Sequence, residues 1–327
     1  LGVGSLFGLI IRLGLIGCGE WGVKYLTASD TACSYLKFKE GDSRALKRIR
    51  KSRFLFTHVS RVKAEIDMKM GGGPILSSVE RVSDWRRMVD LPIDGFVVAT
   101  PPSSHAEICE YLLSRGKPVM VEKPLTLDLN STRKLIAVAR KSGVPFLVNH
   151  VHLFSPAYER LREIVIAHRG PITILSKVIG YGPFRDYSAL LDYGPHDISM
   201  TLGLNRGYPR LIAAYSAKYR KGSFHQLELE FPRGSSKAIL RLGNGADSLS
   251  EKQRQFEIIG KDLWLSYDGT SLFKNGQLVH TKRYLPLDNA VTQFVLAIMN
   301  GTLDWRFAGN LSIQVAHILD KVSNIHT

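Results

Sequence analysis

Three side chains stand out for the chemistry they can do: a lysine closing an apolar run, and an aspartate and a histidine four residues apart. Lys123 lies in Glu122-Lys123-Pro124, directly after Pro118-Val119-Met120-Val121. An ammonium group there can hydrogen-bond a hydroxyl and stabilise its oxygen as negative charge builds. The plain alternative is a surface ion pair. Pro124 weighs against that by fixing how the lysine leaves the strand. Asp192 and His196 lie in Asp192-Tyr193-Gly194-Pro195-His196-Asp197, and on a helix they project from one face. A carboxylate beside an imidazole holds its tautomer and raises its basicity, as a general base near neutral pH requires. The alternative is that Asp192 caps the helix and His196 packs into the core.

A second group of residues has the character of a phosphate cradle. The apolar run Ile11 to Ile16 ends in Gly17-Cys18-Gly19-Glu20-Trp21-Gly22, a G-x-G-x-x-G, and a helix-competent stretch follows. Gly17 permits a tight turn, Gly19 a close backbone approach to a pyrophosphate, and Gly22 packing of helix on strand. Free N–H groups and the positive end of the helix dipole then face the phosphates. Ser60-Arg61, after the second apolar strand, stands where an NAD-preferring site carries an acidic residue. A hydroxyl and a forked cation suit a 2′-phosphate instead, so NADP is expected over NAD. Arg61 starting a solvated helix is the alternative. Thr100, Pro101 and His105, in Thr100-Pro101-Pro102-Ser103-Ser104-His105, can line the cofactor, or simply form a turn and helix cap. Asn149 ends another strand and can reach a substrate, as can Arg185; a hinge residue and a surface salt bridge are their ordinary roles.

These residues need a scaffold, and the chain supplies a regular one. Strand-like runs at 53–59, 93–100, 118–121 and 145–148 alternate with helical stretches at 104–115 and 129–142, and a short helix is expected over 82–89. This alternation predicts a doubly wound parallel sheet over residues 11–150. Right-handed crossovers put all strand C-termini on one edge, and Gly17, Ser60, Thr100, Lys123 and Asn149 all fall at such ends. From residue 151 to 327 the pattern changes. Helices at 155–168 and 189–204 and two near the C-terminus accompany strands such as Gln226-Leu227-Glu228-Leu229-Glu230-Phe231, whose alternation marks a half-buried antiparallel sheet. Asn244-Gly245, Asp268-Gly269 and Asn275-Gly276 are turn pairs. An α+β domain with an open sheet results, and such a sheet usually needs a cover, often a second subunit.

Composition narrows the function classes. With 327 residues and a 44% apolar fraction, two ordinary globular domains are expected. The cysteines, Cys18, Cys33 and Cys109, form no metal-ligand spacing, so no metal is expected, and a reducing, cytoplasmic setting fits. No apolar run reaches membrane-spanning length, and Leu1 to Ile10 reads as a frayed end, not a signal peptide. The net charge is +15, and the densest basic run lies in residues 37–53. A solvated helix face or inserted loop accounts for it, or a field that draws in anionic substrates. Nucleic acid is not expected, because the run has few interleaved aromatics and no known nucleic-acid motif accompanies it.

Taken together, the residues resemble the Gfo/Idh/MocA oxidoreductases. The matching pieces are G-C-G-E-W-G at 17–22, A-T-P-P-S-S-H at 99–105, G-K-P-V-M-V-E-K-P-L at 116–125, V-N-H-V-H-L-F-S-P at 148–156 and L-D-Y-G-P-H-D-I-S at 191–199. The resemblance implies a Rossmann domain followed by an α/β domain whose sheet often forms a dimer face, hence a homodimer or homotetramer. It implies hydride transfer at a carbinol carbon of a sugar, nucleotide sugar or cyclitol. Carried over by residue, Lys123 is the catalytic lysine, Asp192 the conserved aspartate and His196 the acid/base. Gly17, Gly19 and Gly22, with Glu20, Trp21 and Glu122, belong to the cofactor site. Lys123, Asn149, Arg185 and His196 serve the substrate. The insertion at 37–53 and the missing acidic residue after the second strand depart from the family pattern. A non-catalytic dinucleotide sensor and a redox-assisted glycosidase that retains NAD are the rival readings.

Overall fold

The computed structural model describes residues 11–17, 22, 24–25, 54–57, 80–82, 84–182, 184–204, 206–219, 221–232, 236–245, 253–282, 284–301, 303–307 and 309–325, with the backbone alone for 54–57 and 80–82. By contacts the chain forms two compact units. The first contains Leu1–Thr126, Lys134–Asn149 and Leu287–Gly309; the second contains Leu127–Arg133, His150–Pro286 and Asn310–Thr327.

The first unit is built on six strands: β1 (Leu13–Ile16), β2 (Phe54–Thr57), β3 (Glu80–Val82), β4 (Gly95–Val98), β5 (Val119–Glu122) and β6 (Phe146–Asn149). Their order is β3-β2-β1-β4-β5-β6, and every pair is parallel. All residues of β1, β4 and β6 are buried, as expected of strands covered on both faces. The helix α1 (His105–Leu113) packs on β4 and β5, and α2 (Leu129–Ser142) lies between β5 and β6 in the chain. The strand order reverses between β1 and β4, and in such sheets the crevice beyond that switch point is where ligands bind.

Two differences from the sequence reading have local causes. The short helix expected over 82–89 is divided. Val82 ends β3, paired with Thr57, and a 3-10 helix, Trp85–Asp90, begins only after Asp84, whose carboxylate accepts from the Arg86 N–H. The C-terminal segment also departs from a simple division at residue 150. A helix over Pro286–Asn300 belongs with the first unit for most of its length. There Phe294 and Ile298 pack so close to Gly95 of β4 that a Cβ on the glycine would lie 2.6 Å from Ile298.

The second unit carries an eight-stranded sheet. Its strands are β7 (Ile172–Ile179), β8 (Arg210–Lys218), β9 (Ser223–Glu230), β10 (Lys237–Gly243), β11 (Gln253–Gly260), β12 (Leu263–Tyr267), β13 (Leu272–Lys274) and β14 (Gln277–Val279). The order is β14-β13-β12-β11-β7-β10-β9-β8; all neighbours are antiparallel except β7 and β10. Burial alternates residue by residue along β7, so one face is covered. Helices α3 (Pro156–Ala167) and α4 (Ala189–Gly203) pack on that side. Tyr215, Ile259 and Trp264 are exposed. The Asn275-Gly276 turn joins β13 to β14, a hairpin the sequence marked only by its turn. Both turn residues have positive φ, 49° and 81°, as the tight turn requires. Two further helices are α5 (Pro286–Asn300) and α6 (Gly309–Asn324).

Candidate functional site

In the first unit, the predicted residues that are described gather at the C-terminal ends of β1, β4, β5 and β6. Gly17 follows β1 with φ +91°, a backbone state open mainly to glycine. A Cβ there would lie 2.7 Å from the Ala99 carbonyl carbon and from the Thr100 nitrogen and Cγ2, at the end of β4. Gly22 is helical, and a Cβ on it would overlap the Gly17 carbonyl oxygen. Both glycines therefore allow the turn after β1 to close against the following helix and against β4. Gly19, Glu20, Trp21, Ser60, Arg61 and the basic run at 37–53 lie outside the described residues.

Thr100 and Pro101 start the turn after β4. The Ser104 hydroxyl ties it down, 2.8 Å from Thr100 Oγ1 and 2.8 Å from the Pro101 carbonyl. His105 was expected to line a cofactor, but its side chain is wholly buried. Nε2 lies 2.9 Å from the Thr100 carbonyl, and Nδ1 lies 3.0 and 3.2 Å from those of Pro124 and Leu125. Burial holds its pKa below the ordinary imidazole range, against the pull of these carbonyls. His105 thus pins the turn after β4 to the turn after β5 and offers no nitrogen to a ligand.

Lys123 follows β5, and its bond to Pro124 is cis. Beside it is a network with a member the sequence reading missed, Tyr25. The Tyr25 hydroxyl donates to Glu122 Oε1, and Asn149 Nδ2 donates to the same oxygen at 2.9 Å and to the Tyr25 hydroxyl at 2.7 Å. The Lys123 N–H reaches Glu122 Oε2 at 3.3 Å. Tyr25 is fully buried, and burial and the Glu122 charge push its pKa well up, so it stays a donor. Asn149, expected at the substrate, is 1% exposed and spends its amide N–H groups on this network. Its register pairing with Glu122 across β5 and β6 could have been read from a parallel sheet; a phenol from the helix after the glycines could not.

In the second unit the site is organised by α4. Asp192 and His196 are both buried, at 5% and 7% exposure, one turn apart on its surface. Arg185 lies 3.9 Å from Asp192 Oδ2. The Tyr193 hydroxyl donates to the Gly182 carbonyl at 2.9 Å, tying the segment before α4 to the helix; burial, then the Asp192 charge, raises its pKa to about 12. The His196 ring meets the His152 ring edge to face, centroids 5.0 Å apart. His152 Nδ1 is 3.1 Å from the Tyr267 hydroxyl, which donates to the Gly269 carbonyl at 2.9 Å. Since that proton is committed, His152 Nδ1 is the donor. Burial lifts the Tyr267 pKa to about 12. Neither His152 nor Tyr267 was singled out from sequence; each is marked only by its surroundings. Among the described residues no group of three or more His, Cys, Asp or Glu side chains is placed to hold a metal ion, and no helix is long and apolar enough to cross a membrane.

Comparison with known proteins agrees with the fold. Residues 11–150 match the family profile described as an oxidoreductase family with an NAD-binding Rossmann fold. UDP-N-acetylglucosamine 3-dehydrogenase of Acidithiobacillus ferrooxidans is 26% identical over 121 residues, so the chain spans 37% of that relative's length. A solved protein from Magnetospirillum magnetotacticum MS-1 is 28% identical, with a TM-score of 0.72 over 94% of this chain and 98% of that one. A 3-ketoreductase from Actinomadura kijaniata, solved with TDP-benzene and NADP, shares the fold at 20% identity, with a TM-score of 0.73 over 96% of both chains. The fold of the first unit and these matches lead to one statement: residues 11–150 are similar to the NAD-binding Rossmann domain of the Gfo/Idh/MocA oxidoreductases.

Proposed function

We propose that this protein is an NAD(P)-dependent oxidoreductase acting on a carbinol carbon of a sugar, nucleotide sugar or cyclitol. The observation that carries the reading is the glycine cradle at the switch point, where a Cβ on residue 17 would fill the space against Ala99 and Thr100. The residues present fit a dinucleotide at this point: Gly17 and Gly22 would hold its pyrophosphate, and Thr100 and Pro101 would flank it. Glu122 has a bracing role, with both carboxylate oxygens engaged by Tyr25, Asn149 and the Lys123 N–H. When bound, the nicotinamide ring supplies hydride exchange with the substrate carbon.

The chain's own residues handle the proton and the charge. His196 takes the hydroxyl proton in oxidation and returns it in reduction. Asp192 orients the imidazole, and Arg185 holds that carboxylate in turn. Lys123 hydrogen-bonds the substrate oxygen and stabilises it as charge develops. NADP is the preferred cofactor, on the strength of Ser60 and Arg61. The exposed residues Tyr215, Ile259 and Trp264 support a homodimer or homotetramer formed through the open sheet. Titration with NADP(H) and NAD(H), then turnover against a nucleotide-sugar and cyclitol panel read at the reduced nicotinamide band, tests the reading. Tight dinucleotide binding with no exchange across the panel would mean a sensor. A cofactor that co-purifies and is never consumed would mean a redox-assisted glycosidase.

A further inference from the structure

The covered face of the second unit's sheet breaks its own apolar pattern at one place. Ser176 on β7 and Arg254 on β11 lie on the face occupied elsewhere by Ile174, Val178, Phe256 and Ile258. Both turn toward Asp197, the residue after His196. Arg254 grips that carboxylate with both ends of its fork, Nη1 to Oδ1 at 3.0 Å and Nη2 to Oδ2 at 3.1 Å. The Ser176 hydroxyl donates to Oδ1 at 2.5 Å. Asp197 is completely buried, and the Arg254 side chain is 7% exposed. From the helix side, the Thr201 hydroxyl donates to the Asp197 carbonyl at 2.7 Å and the Ser199 hydroxyl to the His196 carbonyl at 2.8 Å.

The geometry points to Asp197, Arg254 and Ser176 as the positioning residues that set the aim of His196. This rests on His196 being the proton-transfer group proposed above. Apolar contacts between helix and sheet tolerate sliding and rotation, and such packing loses uniqueness before it loses stability. A planar, two-point ion pair does not, because both N–H···O bonds are made in one orientation only. Asp197 is about 100° round the helix from His196, so holding one fixes the other. At about 5–6 Å from the helix axis, a turn of roughly 15° displaces a side chain by about 1.5 Å, beyond the roughly 0.5 Å a catalytic group tolerates.

The test replaces the pair by apolar groups, Asp197→Leu with Arg254→Met, and separately makes Ser176→Ala, which leaves the ion pair intact. In the folded double variant kcat is expected to fall about 10- to 100-fold, with KM changed far less. In Ser176→Ala a fall of about threefold is expected. The 13C-histidine resonance of His196, identified by its loss in His196→Gln, is expected to shift or broaden in both variants. A purely structural pair would leave that resonance where it is. Folded variants with wild-type kcat and an unmoved His196 signal would overturn the inference; should the double variant not fold, Ser176→Ala alone decides in the same way. If the wild-type protein turns over no polyol with either dinucleotide, the proposed function falls, while the resonance comparison still reads the positioning.

Discussion

Gly17→Ala is the sharpest probe of the cradle, because its cost can be worked from geometry. An alanine Cβ would face three atoms at 2.7 Å, two of them backbone. Ordinary contact begins near 3.4 Å, so the turn and the end of β4 must separate by about 0.7 Å. Holding alanine at φ +91° adds strain of about 1–3 kcal/mol, and forced overpacking typically costs a further 1–3 kcal/mol. The displacement also shifts the Gly17 backbone, which is proposed to hold the pyrophosphate. Loss of one charge-assisted hydrogen bond is worth about 1.5–3 kcal/mol, so dinucleotide affinity should drop by about 10- to 100-fold. Gly116→Ala is the control: its φ is +68°, but nothing lies within 4 Å of the added carbon. That variant should lose a little stability through strain and keep wild-type affinity. Calorimetric titration with NADP(H) and NAD(H), beside urea unfolding of both variants, separates strain from displacement. A folded Gly17→Ala protein with unaltered affinity would refute the cradle reasoning.

Other consequences can be measured. His196→Gln should reduce kcat by about 10²–10⁴ with little change in dinucleotide affinity; a stopped-flow assay of the reduced nicotinamide band reads this. Arg254→Met alone leaves a buried carboxylate without its cation and should destabilise the protein by about 3–5 kcal/mol, whereas the double apolar replacement should recover most of that in urea unfolding. Burial raises the carboxyl of Asp288 to about 6 from 3.8, and the residue is 4% exposed. The folded protein therefore keeps this proton while the unfolded chain releases it, and stability falls as pH rises from about 4 through 6. Asp288→Asn should accordingly stabilise by on the order of 3 kcal/mol at pH 8 and by little at pH 4; equal effects at both would sink this account. Tyr25→Phe removes one donor from Glu122 and should weaken dinucleotide-dependent turnover severalfold without changing the secondary structure seen by circular dichroism.

Much of this protein is legible without coordinates, where the determinant is local or periodic. Continuous apolar runs ending in glycine, proline or a polar pair mark β1, β4, β5 and β6, because strands buried on both faces need apolar residues at every position. Alternation marks β9 for the complementary reason. The D-x-x-x-H spacing on α4 follows from the helical repeat alone. What sequence could not supply is pairing between distant residues. Tyr25 meets Glu122 and Asn149 across about a hundred residues, and Arg254 meets Asp197 across fifty-seven. In sequence each is an ordinary polar side chain. His105 looked like a ligand residue and proved to be a buried pin, since only the folded turns reveal which carbonyls its nitrogens face. Likewise the return of α5 to the first unit depends on the fit of Phe294 and Ile298 over Gly95. Local spacing dictates which elements form, because backbone geometry is short-ranged; which buried polar groups satisfy one another is decided only when the chain is packed, because the penalty for leaving one unpaired is levied by the interior.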